Sequence, residues 1–137
     1  MGGRDDLVSA FQLFADSLSH FHRLEVDDKV ESGTDTLPFS IVGLPGINML
    51  QETTDYKYTH HSAADALEAQ KPDVLTHNAT LMALAAFWIA DRPERFASPW
   101  PAERTAKMLR DQHEYEELKA FNLWPYGDLG AENKDKR

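Results

Sequence analysis

The chain has 137 residues, 42% hydrophobic and 27% charged, with a net charge of -9. That is one domain's worth of globular sequence with enough apolar material to bury a core, and its acidity argues against nucleic acid as a natural partner because phosphate binding needs a basic surface. The absence of cysteine removes disulfides, thiolate metal sites and cysteine nucleophiles together.

Met1-Gly2-Gly3-Arg4-Asp5-Asp6 has no apolar core or cleavage pattern and does not read as a secretory signal. Asp5 to Leu24 reads as a helix. Leu7, Phe11, Phe14, Leu18 and Phe21 alternate spacings of four and three along one stripe, and Asp5 and Asp6 suit its positive N-terminal end. Arg23 to Ser32 is a charged connector with room for a short strand. In Gly33-Thr34-Asp35-Thr36-Leu37-Pro38-Phe39 a small-residue turn precedes an aspartate placed to cap a short helix through Val42. Gly43-Leu44-Pro45-Gly46 breaks that helix, and Ile47 to Leu50 reads as a short buried strand.

A polar loop with paired histidines, Asp55 to Asp65, comes next. The spacing then predicts a helix over Pro72 to Ala90, with Leu75, Ala79, Met82, Ala86 and Ile89 as its buried stripe. Leu81 to Ala90 is the longest apolar run, about half of the roughly 20 residues that span a bilayer, so no membrane partner is expected. Pro93, Pro99 and Pro101 mark a linker. A third helix is expected from Ala102 to Phe121, with Met108, Leu109, Gln112, Tyr115 and Leu118 toward the core. The ordered part is expected to close near Gly127, leaving 128–137 as a polar tail.

Several chemical motifs are absent. His113-Glu114-Tyr115-Glu116-Glu117 begins like a helical zinc-protease motif, but a glutamate stands where the second histidine must be. The glycines form no phosphate-binding loop, and no G-x-S-x-G elbow occurs. His60 and His61 remain. Imidazole is a common zinc ligand, and a carboxylate such as Asp65 can accept the other ring N–H and fix its tautomer.

The two motifs, Gly33-Thr34-Asp35 through Pro38-Phe39 to Gly43-Leu44-Pro45-Gly46, then His60-His61-Ser62-Ala63-Ala64-Asp65, resemble in order and separation the C-terminal part of the co-catalytic di-zinc exopeptidases. The likeness is to the zinc aminopeptidase and carboxypeptidase Q-like family and runs from about Gly33 to Leu84. It implies an α/β fold. The chain would be a C-terminal fragment of a three-layer helix-sheet-helix domain, helix-rich with one or two short strands, occupying residues 1–127.

The resemblance makes His61 the last zinc ligand and Asp65 a supporting carboxylate. His60 is the histidine that often precedes the ligand, and Asp35 is a near-site residue. Ala66 stands where the motif usually has threonine, removing one local hydroxyl. The resemblance further implies two zinc ions, a peptide substrate, and attack by a metal-activated water whose proton a glutamate takes. The remaining ligands and that glutamate belong to the family upstream of the region matched by Met1 to Leu24, so this segment is expected to be inactive alone. Relatives of this kind are commonly extracellular or periplasmic. The alternative is a non-catalytic interaction module that self-associates through an unpaired strand edge and a partly uncovered Leu7-Phe11-Phe14-Leu18 stripe.

Overall fold

The structure, a computed structural model, describes residues 1–51, 53 and 55–129; positions 130–137 of the expected tail lie outside them. The chain divides into two compact units, one formed by Met1–Asn48 with the chain from Ala97 onward, the other by Met49–Phe96. The first holds α1 (Asp5–Ser17), α2 (Leu37–Ile41), α5 (Ala102–Asp111) and α6 (Tyr115–Ala120); the second holds α3 (Tyr56–Thr59), a 3₁₀ turn at Leu67–Ala69, and α4 (Pro72–Ala90). The described residues are thus helix-rich.

In the first unit, Leu7, Phe11, Phe14 and Ala15 are buried along α1, and the Phe11 and Phe14 rings stand 5.2 Å apart. The stripe expected to be partly uncovered is therefore covered over these residues. The helix is shorter than its apolar spacing suggests. The Ser17 hydroxyl bonds back to the Phe14 carbonyl at 2.7 Å, and Leu18 and Ser19 make i→i−3 bonds to Ala15 and Asp16, which tighten and end it. Phe21 consequently falls outside the helix and is exposed.

Arg4 is buried ahead of α1. Its guanidinium makes a two-pronged pair with Asp6 (2.8 and 2.9 Å), donates to the Gly43 and Ser98 carbonyls (2.9 Å each), and lies over the Trp100 ring. Those bonds hold the Asp6 carboxyl below the usual aspartate range.

The core of this unit is Met108, Leu109 and Leu118, with Val30, Leu37, Ile41, Trp100, Trp124 and Tyr126 packed against it. The expected third helix is interrupted at His113, whose φ is +66°. His113 N–H bonds to the Arg110 carbonyl (3.0 Å) and Glu114 N–H to the Leu109 carbonyl (2.9 Å), a Schellman closure that ends α5 and lets α6 start anew. The turn leaves Gln112 half-buried and places Glu114 among the buried residues. The same closure ends α2 at Gly43 (φ +77°) and α6 at Asn122 (φ +57°).

Among the described residues there is no strand, and the expected three-layer sheet is not seen. Positions 47–50 are irregular, and Leu50 is 71% exposed. A strand exists by pairing, and a short apolar run without a partner strand has nothing to satisfy its backbone as a ladder. The strand allowed within 23–32 is likewise absent; Asp28 and Lys29 there accept backbone bonds from Gly3 and Gly2.

In the second unit α4 has the expected bounds but buries a different face. Leu81 and Ala85 are buried, whereas Leu75, Ala79, Met82 and Ala86 of the expected stripe are exposed and Ile89 is half-buried. A helix apolar nearly all round carries little information about which side is inside.

Candidate functional site

The histidine loop is built from local hydrogen bonds. α3 closes with His60 N–H on the Tyr56 carbonyl at 2.8 Å, and a tight turn follows in which Ser62 N–H reaches the Thr59 carbonyl at 3.0 Å. His60 has φ −50° and ψ 124°, and His61 has φ +53°. These angles follow a type II turn, with His61 at the position that normally takes glycine or asparagine. Ser62 locks the next step: its hydroxyl donates to the Thr59 carbonyl (2.7 Å) and accepts from Ala64 N–H (3.2 Å). Serine's turn-forming habit was the available sequence signal for this residue.

The turn brings His60 and His61 together, their rings stacked with centroids 3.7 Å apart and tilted by 26°; Tyr56 also stacks on His60, at 4.3 Å. Both imidazoles are exposed. Asp65 is exposed as well. Its backbone N–H bonds to the Ser62 carbonyl (3.1 Å), and among the described residues its carboxylate makes no hydrogen bond to either imidazole. The arrangement presents two adjacent nitrogen-donor rings to solvent.

Asp35 belongs to the first unit and is exposed. It does not cap α2; the N-cap is Thr36, without a side-chain cap bond, and Leu37 N–H instead bonds to the Thr34 carbonyl at 3.1 Å. The Thr34 hydroxyl contacts that of Thr36 (2.9 Å) and accepts from the Asn48 side chain (3.2 Å). Asn48, which sequence reasoning passed over inside an apolar run, thus ties the Gly33-Thr34-Asp35 segment to the chain after Gly46. Gly43 is held by fit as well as by its φ: a Cβ there would lie 2.6 Å from the Thr105 hydroxyl and 2.9 Å from Trp100 N. The Gly-Leu-Pro-Gly motif therefore serves close packing against α5.

The site's residues do not by themselves fit a complete zinc centre. Among the described residues no set of three or more His, Cys, Asp or Glu side chains is arranged to hold a metal ion, whereas a catalytic zinc takes three protein ligands. Two open grooves in the first unit, one lined by Gln12, Asp16 and Arg23, the other by Asp5, Arg104 and Lys107, include neither histidine nor Asp35. No helix among the described residues is long and apolar enough to cross a membrane.

A family model described as Peptidase family M28 matches residues 3–86. The match takes in α1, α2, the histidine turn and most of α4, and so begins well before the Gly33 motif from which the resemblance was read. No curated protein and no solved structure matches the chain.

Proposed function

Since the chain belongs to Peptidase family M28, a family of metallopeptidases, we propose that it contributes His61 as a zinc ligand to an exopeptidase site completed by residues outside those described. The observation that supports this reading is the exposed, stacked His60–His61 pair on a turn whose φ of +53° at His61 disfavours any ordinary side chain. Backbone in that region costs energy and is retained where the surroundings or the function require it. His61 is the ligand, His60 its neighbour, and Asp65 a carboxylate near the finished site. Zinc would supply the activated water and the Lewis acid of peptide hydrolysis. What this chain supplies is a histidine ring on a locally closed turn.

The variant that isolates the ligand role is His61→Asn, because asparagine tolerates the turn's backbone while removing the imidazole. In a polypeptide joining this segment to the family's other catalytic residues, His61→Asn should lower peptidase activity by orders of magnitude. Unchanged activity would remove His61 from the ligand set. The chain of 137 residues should bind zinc weakly; tight one-to-one zinc lost in His61→Asn would show instead that the site is complete within it.

A further inference from the structure

We propose that His60 does not share an ion with His61 but acts, together with Tyr56, as a positioning residue: ring stacking among Tyr56, His60 and His61 holds the His61 imidazole in one direction before any ion arrives. This rests on His61 being the zinc ligand proposed above, and it assigns a role to the two rings beside it.

The stacking follows from the backbone. Tyr56 and His60 stand four positions apart on one helical turn, closed by the bond from His60 N–H to the Tyr56 carbonyl at 2.8 Å. That spacing puts their side chains on the same face, and the rings stack with centroids 4.3 Å apart and planes inclined by 27°. The left-handed φ of +53° at His61 then reverses the chain and lays its ring on His60, at 3.7 Å and 26°. The same stack keeps the two imidazoles from chelating. A ring nitrogen donates its lone pair in the plane of the ring, and zinc sits about 2 Å from that nitrogen. Planes 3.7 Å apart at their centres and inclined by 26° converge only about 7 Å away, far beyond that bond length.

What His60 offers His61 is therefore its face. All three side chains are exposed, and among the described residues the His61 ring has the His60 stack and no hydrogen bond to fix it. An exposed histidine left alone samples several staggered positions. A ligand already held in one of them binds without giving up that freedom. Aromatic stacking favours the held direction by a factor of about 2–10, and zinc affinity gains by the same factor.

Phenylalanine and leucine at position 60 separate a stacking role from a ligand role: phenylalanine keeps an aromatic face without a donor nitrogen, and leucine keeps bulk with neither. On the full chain without metal, imidazole NMR should show the His61 ring protons moved upfield by the neighbouring ring in the parent and in His60→Phe. In His60→Leu they should return to the position of an isolated histidine. Zinc titrated into the same chains, read residue by residue, should reach His61 with an affinity within about twofold of the parent in His60→Phe and Tyr56→Phe. It should bind about 2–10-fold more weakly in His60→Leu, with Tyr56→Leu in between. A loss in His60→Phe as large as in His60→Leu would make the His60 nitrogen a ligand and overturn the proposal. His61 ring signals or zinc affinity indifferent to His60→Leu would overturn it as well, since the stack would then hold nothing. The ligand reading fails separately: zinc that His61→Asn does not weaken removes His61 from the site, while the metal-free ring signals still report the stack.

Discussion

His61 occupies a turn position that favours glycine or asparagine, and under the proposed function its imidazole is one of the zinc ligands. Histidine at φ +53° costs on the order of 1 kcal/mol relative to a residue that accepts the left-handed region. His61→Asn should therefore hold or raise the melting temperature even as metal-dependent activity is lost; a marked fall in Tm would mean that the imidazole is a structural prop. Glu114 carries the opposite kind of tension. It is 8% exposed, its Oε2 has no hydrogen-bond partner, and its carboxyl is pushed above the usual glutamate range first by burial and then by Glu117 and Glu31. A fold that prefers the neutral acid loses stability as pH rises from the unfolded-state value, about 4.3, through the raised folded value, and the penalty is complete above it. Glu114→Gln should thus be more stable than the parent near neutrality by about 1 kcal/mol, with the gap closing in acid. Thermal melts across that pH range would test it; a gap that widens on acidification would refute the sign. Neither residue's environment was legible in the sequence. The paired histidines stood out by chemistry alone, while Glu114 was visible only as part of a failed zinc-protease motif.

Helix cores were more legible than helix ends and faces. Leu7, Phe11 and Phe14 announced α1 because strong apolar residues alternate with polar ones, and α4 was bounded by Pro72 and the polar run after Ala90. The face of α4 was misjudged for the physical reason that both of its sides are apolar, so that only packing distinguishes Leu81 from Met82. The ends of α1 and α5 were misjudged because they are set by local hydrogen bonds that apolar spacing does not encode. At α5 the left-handed closing residue is a histidine, where α2 uses Gly43 and α6 uses Asn122. This sets up a paired test. His113→Gly should stabilise the α5–α6 corner by about 0.5–1 kcal/mol, the left-handed strain relieved less the added unfolded-chain entropy. Gly43→Ala, with φ +77° and the Thr105 hydroxyl 2.6 Å from the new Cβ, should destabilise by about 2–4 kcal/mol. Urea melts of the two variants should move in opposite directions; a destabilised His113→Gly would mean that the imidazole itself supports the corner.

The two units differ in how much they bury. The first carries Leu109 and Leu118 at 0–1% exposure and the bonded Arg4, whereas in 49–96 the buried positions among the described residues are Leu81 and Ala85. Between Asp55 and Gln70 every position is exposed except half-buried Thr59, and among the described residues the hydrogen bonds there reach no further than four positions along the chain. The family could be read from the motifs because it is written in residue types and their order. The incompleteness of the metal site in the described residues follows from geometry. A segment held by local turns alone opens at low free energy, so amide exchange on the full chain should be fastest over 55–70 and slowest over 105–109. Trypsin should cut at Lys57 well before Arg4, while Lys71 is protected by the Pro72 that follows it. Protection of 55–70 equal to that of α5 would mean the histidine turn is anchored by tertiary packing. If instead the loop exchanges freely, a bound ion must order it as well as satisfy it, and zinc would slow exchange at 55–70 only where the remaining ligands are supplied. Exchange measured with zinc on this chain and on a longer M28 polypeptide carrying the same segment separates those cases: protection confined to the longer polypeptide is the expected result, and equal protection in both would place a complete metal site within these residues.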